Sequence, residues 1–131
     1  MEDINGNQIK KGDILQASKT SRKEGFHKIL YWSNESKSEA DFVGLMLTHS
    51  TSQQFPNNVL LEKDFIIEDE FKWEITHFVN RMFYKLQDWG PFKVIGKIND
   101  DGINFIIKYI DYSKPIMPYD EYEKEIKSNQ T

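Results

Sequence analysis

Apolar and polar positions fall along the first sixty residues in short alternating blocks. Residues 9–17 carry an apolar half that begins at Ile14 and Leu15, after a turn or bulge at Lys11, Gly12 and Asp13. FHKILYW follows at 26–32, FVGLML at 42–47 and VLL at 59–61. Apolar runs of this length, rich in Val, Ile and aromatic residues, predict strands. Between them lie SKTSRKEG at 18–25, SNESKSEA at 33–40 and a long polar block from Thr48 to Asn58, which read as loops. No helical crossover separates these strands, which argues against a doubly wound parallel sheet.

The second half is less regular. In 71–86, Ile75, Phe78, Val79, Met82, Phe83 and Leu86 recur every three or four residues, and this periodicity leans towards a helix. The same segment holds β-branched and aromatic residues in a pattern that a strand accepts, and its β-rich surroundings lean that way, so both readings stay open. Residues 92–98 predict a strand, and Asn99, Asp100, Asp101 and Gly102 give a turn signal. Residues 103–110 then read as the hairpin partner, with Phe105, Ile106 and Ile107 buried. Pro115 and Pro118 stop regular structure, and 119–127 predict a short helix with Tyr122 and Ile126 one turn apart. The expected fold is mainly β, a small antiparallel, strongly bent sheet or barrel with one or two short helices. It is expected as a single domain over 1–131, with a barrel-like core at 9–110 and a C-terminal extension at 111–131.

Composition narrows the classes. At 131 residues the chain can bury one core without metals or disulfides, and it has no cysteine, so thiolate zinc sites and thiol nucleophiles are excluded. No apolar run is long enough to cross a bilayer as a helix, and the polar, acidic start does not resemble a secretory signal, so a cytoplasmic location with no membrane partner is expected. The net charge of −4 argues against indiscriminate nucleic-acid binding. Lys19, Arg22, Lys23 and Lys28 nevertheless crowd around the second strand, and a basic loop can hold a phosphate on an acidic protein. The nine Phe, six Tyr and three Trp serve mostly as core. Arg81 and Lys85 beside Phe83 and Tyr84 read as the solvated side of an amphipathic element.

The third strand breaks from its apolar run directly into Thr48, His49, Ser50 and Thr51. A strand end fixes such side chains by packing at their base, which is how a site is held rigid. His27 heads the second strand, and in an antiparallel pair the start of one strand lies near the end of the other. His27 and His49 then form a candidate acid–base pair, because imidazole populates both protonation states near neutral pH. Thr48 and Ser50 are placed to hydrogen-bond a scissile phosphate, while Arg22, Lys28 and Thr51 are placed to hold the substrate and its charge. The plainer alternative makes His27 a hydrogen-bonded strand residue on the face of Ile29 and Tyr31. No metal or other cofactor is expected. His27, His49 and His77 stand 22 and 28 residues apart, without the close spacing of helical ligands. The seven glycines form no phosphate loop, and no serine sits in a GxSxG setting.

The order of these blocks resembles the MazF/PemK (plasmid growth-inhibitor) ribonuclease toxins. KKGDIL at 10–15 is similar to that family's opening strand, and GFHKILYW at 25–32 to its second block. In GLMLTHS, Thr48 falls where the family has an active-site threonine. NVLLEKDF resembles the following strand, and KVIGKI the segment before the family's last helix. Three departures stand out, the first being an early loop longer than the family's. His27-Lys28 replaces the usual Arg-Pro, and the last helix is expected here as the strand 103–110. The resemblance implies a small antiparallel barrel, a homodimer, metal-independent cleavage of single-stranded RNA and a partner antitoxin protein. The expected function is therefore a metal-independent endoribonuclease of toxin type. The alternative is a non-catalytic β-barrel module that binds a protein or peptide.

Overall fold

A computed structural model describes residues 2–17, 27–33, 42–48, 58–69, 75–84 and 90–128. Among them the chain forms β1 (Asp13–Ala17), β2 (His27–Ser33), β3 (Val43–Thr48) and β4 (Val59–Leu61), followed by a 3-10 turn (Lys63–Phe65). There follow β5 (Ile66–Asp69), β6 (Thr76–Phe78), β7 (Phe83–Tyr84), β8 (Lys93–Ile98), α1 (Asp100–Tyr109), β9 (Met117–Pro118) and α2 (Tyr119–Ser128). These strands make one sheet with the path β4-β6-β3-β2-β1-β8-β5, and β7 pairs with both β3 and β9. Pairing is antiparallel except between β7 and β9. The two edge strands of the path, β4 and β5, are consecutive in the chain and joined only by Glu62 and the 3-10 turn. Tying the edges so closely curls the sheet into a half-barrel, as the alternating blocks predict.

Strand alternation sorts the side chains into two cores. Leu15, Ala17, Ile29, Tyr31 and Met46 leave one face, where Ile9, Phe42, Phe83 and Phe92 join them. Ile14, Leu30, Trp32, Leu45, Leu47 and Phe78 leave the other, where Ile106 and Ile110 cover them. Burying each Leu, Ile, Phe or Met side chain among them contributes about 1.5–3 kcal/mol. β1 begins four residues after the expected start at Ile9. The preceding turn holds Gly12 at φ +94°, and Asp13 accepts a hydrogen bond from the Lys10 amide at 2.8 Å. In β3, Gly44 lets β2 approach closely, since a Cβ there would lie 2.8 Å from the Leu30 carbonyl oxygen.

Two expectations are corrected, and one segment left open between helix and strand is resolved. Residues 103–110 are not a hairpin strand but lie in α1 and its C-terminal cap. Asn-Asp-Asp-Gly is a helix start here. The Asn99 side chain accepts from the Gly102 amide at 2.8 Å, and Asp100 and Asp101 occupy the positive first turn. Ile103, Ile106 and Ile110 then meet the sheet at helical spacing, while Ile107 is exposed.

The described part of 71–86 is not helical but forms β6, a turn and β7. Both short strands pair with β3, β6 at Leu47 and Thr48 and β7 at Val43 and Gly44. Phe78 and Val79 enter different cores, which neighbouring strand residues do and one helical stripe does not. Long-range pairing thus overrides a helical spacing that arises by coincidence. β5 itself was not anticipated, because its sequence IIED is short and half acidic.

Arg81 is not on a solvated side. It is 9% exposed, donates to the Pro115 carbonyl oxygen at 3.2 Å and lies 3.6 Å from a Glu125 carboxylate oxygen. Its guanidinium also sits over the Tyr122 ring. Tyr119 and Tyr122 pack on Phe83, with ring centroids 5.2 and 5.1 Å apart. α2, expected as a short helix of the C-terminal extension, is therefore integrated with the first core. No described helix is long and apolar enough to cross a membrane.

Candidate active site

Residues directly opposite on an antiparallel ladder point to the same face. β1 and β2 pair Ala17 with His27. β2 and β3 pair Lys28 with Leu47, so the next step of that ladder sets His27 across from Thr48. On the other side of β3, Thr48 pairs with His77, and His77 in turn pairs with Leu60 of β4. The result is a transverse row, Ala17–His27–Thr48–His77–Leu60, on the face of the first core. Ala17 is fully buried, Leu60 is exposed, and the three polar members between them are partly exposed. The row marks where packing gives way to solvent.

The expected proximity of His27 and Thr48 thus follows from register. Lys28 is placed otherwise. It is one residue along β2, and the period of two turns its side chain to the opposite face, beside Gln16 and Leu47. Burial there pushes its ammonium pKa down. His49, Ser50, Arg22 and Thr51 lie outside the described residues.

His77 was not among the expected site residues. Its distance from the other histidines along the chain hides it, and only the strand assignment and register of THF reveal that it flanks Thr48. Its Nδ1 is buried with no hydrogen-bond partner among the described residues, while the residue as a whole is partly exposed. Burial holds its pKa below the ordinary 6.5, which keeps the ring neutral at pH 7. His27 and His77 are two strand spacings apart, roughly 10 Å between Cα atoms. Between them the Thr48 hydroxyl can donate to a small anion, and the neutral imidazole of His77 can take a proton. Among the described residues, no group of three or more His, Cys, Asp or Glu is placed to hold a metal ion.

A cleft of about 220 Å³ opens next to the row, lined by Leu60, Leu61, Glu62, Lys63, Ile66, Ile75 and Thr76. It lies where the β4–β5 connection meets β6, and Leu60 belongs to both the cleft and the row. No protein-family model matches this chain, and a search of curated proteins finds no match either.

Proposed function

We propose that the protein is a metal-independent endoribonuclease that cleaves single-stranded RNA at the row containing His27 and Thr48. The observation that carries this reading is the register that sets an imidazole beside a hydroxyl where two strands meet solvent. His27 transfers a proton, and Thr48 donates a hydrogen bond to the scissile phosphate. Arg22, Ser50 and Thr51, the substrate contacts expected from the sequence, supply further donors and positive charge. The 2′-hydroxyl loses its proton and its oxygen bonds to phosphorus. The P–O5′ bond breaks, and the leaving oxygen takes a proton, giving a 2′,3′-cyclic phosphate and a 5′-hydroxyl.

The likeness of KKGDIL, GFHKILYW and GLMLTHS to the MazF/PemK toxins supports the same reading. So does α1, which follows KVIGKI where that family's last helix stands. The test is cleavage of a long unstructured RNA in EDTA. Wild type cleaves, and a folded His27→Ala variant loses on the order of 10²–10⁴-fold, the usual contribution of a proton-transfer group. RNA left intact by wild type beside an active control nuclease rejects the proposal.

One observation favours the binding-module alternative. Leu60 and Ile75 are exposed along the cleft and Ile67 is exposed on the edge strand β5, a surface suited to an apolar peptide segment. Peptide binding there with no RNA cleavage would select it.

A further inference from the structure

We infer that His77 is the second imidazole of the site and that it acts as the general base, with the scissile phosphodiester held at Thr48 between it and His27. This rests on the ribonuclease reading and assigns that site's second proton-transfer group.

In-line displacement at phosphorus places the attacking and leaving oxygens on opposite sides. A base and an acid serving those two oxygens must therefore flank the phosphate. The row supplies that arrangement. Thr48 pairs with His77 across one ladder, and the register of the other ladder sets His27 on its far side. A separation of roughly 10 Å between the two Cα atoms leaves room for a phosphodiester above Thr48, between two rings that stand on the same face. Adjacent imidazoles on one strand would not straddle it.

The environment of His77 fits the base role. Across β3 it faces Thr48 with His27 one strand further, and across β4 it faces Leu60, with Glu62 two residues beyond. With neither direct neighbour charged, burial dominates, and the ring is neutral where a base must be. Nε2 would accept the 2′-hydroxyl proton as O2′ bonds to phosphorus. His27 would then give its proton to O5′ as the P–O5′ bond breaks. No metal or co-reactant is needed.

The experiment uses the full chain and separates this assignment from the nuclease reading. RNA cleavage in EDTA is measured against pH for wild type, His77→Ala and His49→Ala, together with histidine ring NMR during titration with a nucleoside 3′-monophosphate. His77→Ala should lose at least 100-fold in kcat/KM, lose the acidic limb of the pH profile and be partly restored by added imidazole. The His77 and His27 ring signals should also move together and saturably. A His77→Ala variant within threefold of wild type with an unchanged acidic limb overturns the inference while leaving the nuclease reading intact. The same holds if His49→Ala alone abolishes cleavage. If His77→Ala unfolds, the wild-type titration decides: a His77 signal that ignores the nucleotide refutes the assignment. Absence of any wild-type cleavage rejects the nuclease reading and this inference with it.

Discussion

Thr48 lies directly across the β3–β6 ladder from His77, and the register of the β2–β3 ladder gives His27 the equivalent place on its other side. One central strand thus presents a hydroxyl between two imidazoles that are 50 residues apart in the chain. The position follows from pairing alone, since a slip of one residue in either ladder would send one ring to the opposite face.

Replacing Thr48 with Val keeps the side-chain shape and removes the hydroxyl. Thr48 is partly exposed, so thermal stability should change by less than about 1 kcal/mol. RNA cleavage should fall by about 10- to 100-fold, the equivalent of one transition-state hydrogen bond. Steady-state kinetics beside a melting curve separates the two effects, and equal loss of stability and activity would refute the role.

The start of α1 is held by its cap and by close packing. Asn99→Ala should cost about 1 kcal/mol through loss of the bond to the Gly102 amide. Gly102→Ala should also destabilise, although alanine is the better helix former by about 1 kcal/mol. Its Cβ would lie 2.9 Å from Phe65 Cβ, and overpacking of this kind costs about 1–3 kcal/mol. Urea midpoints of the two variants check both signs.

Arg81 ties α2 to the sheet through the Pro115 carbonyl, Glu125 and Tyr122. Arg81→Met should accelerate amide exchange throughout α2, while exchange in β1, β2 and β3 stays slow. Its Nε is buried without a partner among the described residues, which offsets part of the stabilisation. The global loss should therefore be modest, on the order of 1–2 kcal/mol. Equal acceleration in helix and sheet would contradict a local tie.

Asp3 accepts hydrogen bonds from the Val94, Asn7 and Asn5 amides, at 2.9, 2.8 and 3.0 Å. These bonds, that from Val94 foremost, hold its carboxyl below the ordinary value of 3.8. The folded state then binds fewer protons than the unfolded chain in this range. The stabilisation is complete above pH 3.8 and is lost as pH falls through the lower folded value. Asp3→Ala should lower the urea midpoint at pH 7, and the difference should shrink steadily in acid below pH 3.8. A difference independent of pH would show that the carboxylate charge plays no part.

Much of the sheet was legible because its early strands are isolated apolar blocks between polar loops. FVGLML has one reading, and so does VLL. The segments that misled are those where one local pattern serves two structures. NDDG can close a hairpin or cap a helix, and the cap prevails once the isoleucines at 103, 106 and 110 find the second core. IxxFV reads as a helical stripe, yet Phe78 and the adjoining Val79 enter opposite cores, and Phe78 pairs with Leu47, 31 residues earlier. The site was half legible for the same reason. His27 and Thr48 bound successive strands, so local order places them together, whereas His77 reaches Thr48 only through a non-sequential pairing.

The most direct test of the central claim is product analysis on a short single-stranded oligoribonucleotide incubated with the purified protein in EDTA. Wild type should leave 2′,3′-cyclic phosphate and 5′-hydroxyl ends, and His27→Ala none above background. Intact substrate under conditions where a control nuclease is active, or products with 5′-phosphate ends, would contradict that claim.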